Sequence, residues 1–173
     1  MLEEAKNIAE TEPHDSKRWK HGSNAKFLQI NSLWGVKFYK TPKTREYSWN
    51  LQNIAAKRAS LAPPVGEWLD SDVGYGYLTM VADIEKHKNL EDIKKLYKKL
   101  DKIGFHLDFN DNSAMDNVGY FENELVAIDF EAMWLFRIVP MPNQRFGRLR
   151  LYPETTPAIG KTLNWKYTQD KEC

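Results

Sequence analysis

Cysteine is all but absent: the only one among 173 residues is Cys173, so an intrachain disulfide and a cysteine-ligated zinc site are both excluded. The four histidines, His14, His21, His87 and His106, are scattered and form no His-Glu-x-x-His pattern, which argues against a zinc hydrolase. No apolar run approaches the roughly 18 residues that span a bilayer. The opening residues, Met1 to Lys6, lack the basic start and apolar middle of a signal peptide. The expectation is a cytoplasmic protein with no membrane partner.

What is present is the balance of a soluble globular chain, with 42% hydrophobic and 28% charged residues. Aromatics reach 13%, six of them Trp, too many for a largely disordered chain. The length suits one domain with a real core, or two cramped ones. A net charge of +1 hides strong segregation: −4 over residues 1–15, +9 over 16–66, −8 over 67–136 and +4 over 137–173. Glu46 is the single acid between residues 16 and 66. Basic and acidic halves suit either two complementary layers or a polyanion held with metal ions, as nucleotide phosphates require.

The pattern along the chain predicts a short helix over 2–10, then a basic cluster from Lys17 to His21 and a turn at Gly22-Ser23-Asn24. Strands follow at 25–30 and 34–40, joined through Asn31-Ser32. Thr41-Pro42 opens a helix to about Leu61, with Tyr47, Leu51, Ile54, Ala55 and the stem of Arg58 on one stripe. Pro63-Pro64 ends it. Two strands, 65–69 and 75–82, precede a second helix capped by Asn89, whose apolar face is Ile93, Leu96, Tyr97, Leu100 and Ile103. Its lysines face solvent, and Gly104 stops it. A polar loop from His106 to Asn117 leads to a hairpin, 118–121 and 125–130, while 131–173, with four prolines, reads as irregular.

The order hairpin, helix, two strands, helix, polar loop, hairpin, with its special residues, resembles the protein-kinase-like superfamily in its minimal bacterial or viral forms. The matching residues span roughly 20–131. The resemblance implies an α+β fold, a kinase-like small lobe at 16–82, then 83–131 with hinge, helix and loops of a much reduced second lobe, and a tail at 132–173. Lys37, in Trp-Gly-Val-Lys-Phe-Tyr-Lys, is similar to the family lysine that contacts nucleotide phosphates, and Glu46 is the acid available to pair with it. Gly22 and Ser23 stand where the family has its glycine-rich loop. Val81, Ala82 and Asp83 stand where it binds adenine through backbone groups, with Met80 guarding the pocket. Asn117 and Asp129, the latter in Ile128-Asp129-Phe130-Glu131, match two magnesium ligands in order and spacing. The implied ligands are ATP and Mg2+.

The catalytic base is less determined. Five residues before Asn117 stands Asn112, which cannot accept a proton. Asp108, in His106-Leu107-Asp108, is the first candidate and Asp111 the second, since geometry rather than spacing decides catalysis. Three functions stay open: a phosphotransferase with an unusual or small acceptor, an inactive pseudokinase working through a protein partner, and a basic nucleic-acid-associated protein. Net charge near zero speaks against the last. If the chain is viral, its place is the host cytoplasm.

Overall fold

Turn chemistry folds the first half of the chain into a sheet. Asn31 Oδ1 accepts from the backbone N–H of Leu33 and of Trp34, each at 2.9 Å. This turn sets β2 (Ala25–Gln29) antiparallel to β3 (Trp34–Tyr39). The computed structural model describes residues 1–22, 25–105 and 115–130, with the backbone of 106, 134–139 and 148–151. Ahead of β2 stand α1 (Leu2–Thr11) and β1 (Trp19–His21). Beyond β3, α2 (Pro42–Ala59) opens with Pro42 at its first position and the Thr41 hydroxyl accepting from Thr44 N–H. β4 (Val65–Ser71) and β5 (Gly74–Met80) follow. The five strands form one antiparallel sheet in the order β1-β2-β3-β5-β4.

Strand alternation gives the sheet two different faces. Leu28, Val36, Phe38, Leu69 and Leu78 are buried on one, against Trp19 of β1 and Ala5 and Ala9 of α1. The opposite, inner face carries Lys37, Tyr39, Tyr77 and Thr79. Helix α2 lies against that face through Gln52, and Trp49 Nε1 donates to Gly66 O of β4 at 2.9 Å.

A second core sits beyond α2. Tyr47, Leu51 and Ala55 pack with Ile93, Leu96, Tyr97 and Leu100 of α3 (Leu90–Lys102) and with Phe105, Val118, Ala127 and Phe130. Asn89 caps α3 by accepting from Glu91 N–H at 2.8 Å. Ion pairs Glu91–Lys94 and Asp92–Lys95 lie on its exposed face, as expected of a solvated lysine stripe. Gly104, at φ 92°, takes the left-handed conformation that ends it. After β6 (Phe105–His106), β7 (Val118–Phe121) and β8 (Glu124–Ala127) form a hairpin, turned by Glu122 and Asn123 at φ 50° and 67°.

The architecture is therefore α+β. Three sequence expectations need correction. The cluster Lys17–His21 contains β1, a three-residue strand too short to show alternation. The stretch 131–173 is not wholly irregular, because β9 (Trp134–Val139) and β10 (Arg148–Leu151) join β6 in a second sheet, ordered β10-β9-β6. Arg58 is exposed rather than part of the packed stripe of α2. No helix among the described residues is long and apolar enough to cross a membrane.

Candidate functional site

Lys37 sits in the middle of β3, half-buried, directly opposite Phe27 of β2 on one side and Tyr77 of β5 on the other. Its alternation places it on the inner face, with Gly35 and Tyr39 as the next inward positions on the strand. Gly35 is constrained by this packing: a Cβ there would collide with the Phe27 ring, which covers the glycine. The Lys37 ammonium reaches across to donate to the Ile128 carbonyl.

The β7–β8 hairpin brings the other groups to the same place. Ile128 N–H donates to Asn117 O at 2.9 Å, which extends the ladder one step past Val118 and Ala127. Asn117 and Ile128 are thus neighbours at the hairpin's open end, with Asp129 the next residue. Both Asn117 and Asp129 are half-buried. Burial pushes the Tyr97 phenol up, opposed by a hydrogen bond with the Asn117 side chain and reinforced by the Asp129 charge. Burial likewise raises Tyr39, with the Lys37 charge pulling it down and the Asp129 charge pushing it up. Lys37 is therefore brought to the hairpin's open end, where Asn117 and Asp129 stand, although Lys37 and Ile128 are 91 positions apart in sequence.

Glu46 does not join it. The buried side of α2 comprises Arg45, Ser48 and Gln52 and, adjoining them, Tyr47, Leu51 and Ala55. Glu46, turned about 100° from both its neighbours, points the opposite way and is exposed. The expected Lys37–Glu46 pair is thus not formed. The carboxylate near this helix belongs instead to Asp70, which pairs with the buried guanidinium of Arg45. That guanidinium also lies 4.1 Å from the Trp68 ring centroid.

Gly22 is also engaged locally. Its N–H donates to Ala25 O at 2.9 Å, closing the β1–β2 turn, so that group does not face the inner cleft as a free phosphate donor. Ser23, Asp108 and Asp111 lie outside the described residues. At the end of β5, Val81 N–H donates to Leu33 O at 2.8 Å, and Asp83 exchanges both backbone bonds with Tyr120 at 2.8 and 2.9 Å. In the segment expected to bind adenine, the Val81 carbonyl and the two backbone groups of Ala82 lie outside the backbone hydrogen bonds of the described residues. Met80 is half-buried beside them, its N–H donating to Pro64 O at 3.0 Å.

A polar ladder between α2 and the sheet was not anticipated from the sequence. Gln52, 1% exposed, donates through Nε2 to Thr79 Oγ1 at 2.8 Å and to Pro63 O at 2.9 Å. Its Oε1 accepts from the Tyr77 hydroxyl at 2.8 Å. The Tyr77 and Tyr39 hydroxyls are 3.4 Å apart, their rings stacked at 6.0 Å between centroids, and Ser48 lies beside Tyr39. The available signal was the alternation itself, which puts Tyr77 and Tyr39 on the face of Lys37.

The donor set of the cluster has a clear chemical character. The Asp129 carboxylate and the Asn117 amide, one step apart across the open end of the hairpin, are oxygen donors of the kind that could serve Mg2+, which takes one or two protein oxygens and completes its octahedron with phosphate and water. Among the described residues no group of three or more His, Cys, Asp or Glu side chains gathers to hold a metal without such help. Compared with known proteins, the chain matches no protein-family model, no curated protein and no solved structure.

Proposed function

We propose that this chain binds a nucleoside triphosphate, ATP, with Mg2+ at the Lys37–Asn117–Asp129 cluster, as a reduced relative of the protein-kinase-like superfamily. The observation that carries the reading is the reach of the Lys37 ammonium to the carbonyl of Ile128, beside Asp129. A cation from the sheet and two oxygen donors from a distant hairpin converge there, as polyphosphate recognition with a divalent ion requires. The strand order β1-β2-β3-β5-β4, with a helix between β3 and β4, supports it as an antiparallel small lobe. In this reading Lys37 takes phosphate oxygens in place of the Ile128 carbonyl. Asn117 and Asp129 hold Mg2+, which neutralises phosphate charge when bound. The Val81 carbonyl and Ala82 face the base, with Met80 at the pocket wall. Asp108, or failing it Asp111, accepts the proton of an acceptor hydroxyl.

A second reading, nucleotide binding without phosphoryl transfer, is favoured by the outward direction of Glu46 and the engaged Gly22 N–H. In that case the protein acts through a partner protein, with the nucleotide as a structural ligand.

The test is a thermal-shift titration with ATP, with and without magnesium. ATP with magnesium is expected to raise the midpoint. Lys37→Met removes most of that rise while the ligand-free protein stays folded. Asp129→Asn weakens the magnesium-dependent part more than the magnesium-free part. A nucleotide response untouched by Lys37→Met overturns the reading. Transfer of radiolabelled phosphate that Asp108→Asn or Asp111→Asn abolishes separates the enzyme from the silent binder.

A further inference from the structure

We infer that Gln52, acting through Tyr77 and Tyr39, is the positioning residue for Lys37, in the place where the family resemblance leads one to expect a carboxylate. The inference deepens the proposed nucleotide site and names what orients its cation. An ammonium on a long stem has many rotamers, and ordering it costs conformational entropy unless the walls around it are fixed. Here the walls are aromatic: Phe27 and Tyr77 are the two direct cross-strand neighbours of Lys37, and Tyr39 is the next inward residue on its own strand. Of these, Tyr77 and Tyr39 are buried, and Tyr77 is fully so.

What fixes the aromatic walls is the amide of Gln52. Both amide functions are used, the nitrogen towards Thr79 and Pro63 and the oxygen towards Tyr77, so neither the amide orientation nor the ring can turn without breaking a buried bond. Tyr77 in turn meets Tyr39 through hydroxyl and ring. The ladder thereby joins α2, β5 and β3, and it contains no charge. A neutral ladder orders the walls beside Lys37 without adding a counter-charge, which leaves the ammonium for the Ile128 carbonyl or for an anionic ligand. An acid at that place compensates the cation as well as orienting it.

The experiment reads Lys37 directly and needs no nucleotide. The intact, ligand-free protein is labelled with a lysine-acylating reagent, and the rate at Lys37 is followed by mass spectrometry of its peptide. Gln52→Leu is expected to raise that rate about fivefold, the weight of one buried hydrogen bond. Tyr39→Phe, which removes only the far hydroxyl and keeps the ring, gives a smaller rise in the same direction and guards against a Gln52 variant that fails to fold. Leu69→Ala, on the other face of the sheet, is the control: it lowers the thermal midpoint but leaves Lys37 labelling unchanged. Acylation of Lys37 that follows the midpoint alike in all three variants overturns the inference and makes the ladder a stability element only. Because ATP is absent, failure of wild type to bind nucleotide overturns the proposed function without touching this result.

Discussion

The two faces of the five-stranded sheet are built by opposite means. On the α1 side, Leu28, Val36, Phe38, Leu69 and Leu78 close over Trp19, Ala5 and Ala9, and the stabilisation is apolar burial, which has no direction. On the α2 side the sheet carries Lys37, Tyr39, Tyr77 and Thr79, and Gln52 meets Thr79 and Tyr77 there through directed hydrogen bonds. An apolar face tolerates small shifts of its partners, whereas a directional one fixes them. The outer face is thus supported by apolar burial, and the inner face by directed bonds beside Lys37. Both halves of the molecule depend on α2, which shares one buried arc between the polar ladder and the second core with α3.

The largest expected effect lies on the outer face. Phe38 is 2% exposed there, and Phe38→Ala is expected to cost about 3–5 kcal/mol of unfolding free energy, since it removes buried area and leaves a cavity. Tyr77→Phe on the inner face keeps the ring and leaves the Gln52 oxygen without its donor, at a cost of about 1–3 kcal/mol. Urea unfolding of the two variants measures both. Equal losses would erase the division of labour between the faces.

Alkali sharpens the contrast next. The inner side and the second core hold Tyr39, Tyr47 and Tyr97, and burial raises each phenol above its ordinary value near 10. Below that value the phenols are neutral in both folded and unfolded chains, so their contribution is fully present. Above it the unfolded chain releases protons that the folded chain retains, and stability falls by about 1.4 kcal/mol per pH unit for each such tyrosine. Tyr47→Phe, which removes the group raised by burial alone, is expected to make the fall above pH about 10 shallower by that amount. Unfolding free energies measured from pH 8 to 11 check it; a slope unchanged in the variant means that Tyr47 ionises in the folded state.

Most elements of residues 1–130 were readable because they carry local signals. Thr41-Pro42 and Asn89 mark helix starts, Gly104 a helix end, and Asn31 and Asn123 lie in turns of the kind their side chains favour. The cluster of Lys37, Asn117 and Asp129 was readable only through serial order, since nothing local says that residues so distant in sequence will meet. What stayed hidden has a physical cause. Gln52, Ser48 and Arg45 look like solvent residues in a helix, yet they face a sheet that is polar on that side, so the hydrophobic stripe of α2 marks only half of its buried arc. A three-residue strand such as β1 shows no alternation at all, and its pairing with β2 is a tertiary fact.

The smallest effect is expected at Glu46, which the family resemblance offered as the partner of Lys37. As the one acid between residues 16 and 66, it was the natural partner for Lys37, and a buried lysine left without a carboxylate is costly. Lys37, however, is half-buried rather than enclosed, and it has the Ile128 carbonyl. Its need for an acid in α2 is correspondingly weak. Glu46 points to solvent, where an isolated charge contributes within about 0.5 kcal/mol of nothing. Glu46→Gln is therefore expected to leave the thermal midpoint, the Lys37 acylation rate and the ATP response as they are in wild type, while Gln52→Leu moves the second of these. If Glu46→Gln instead weakens ATP binding as much as Lys37→Met does, then α2 must rotate on ligand binding to bring Glu46 inward. The directional ladder of Gln52 and Tyr77 would then have to break in the bound state, and the inner face would be a switch rather than a fixed support.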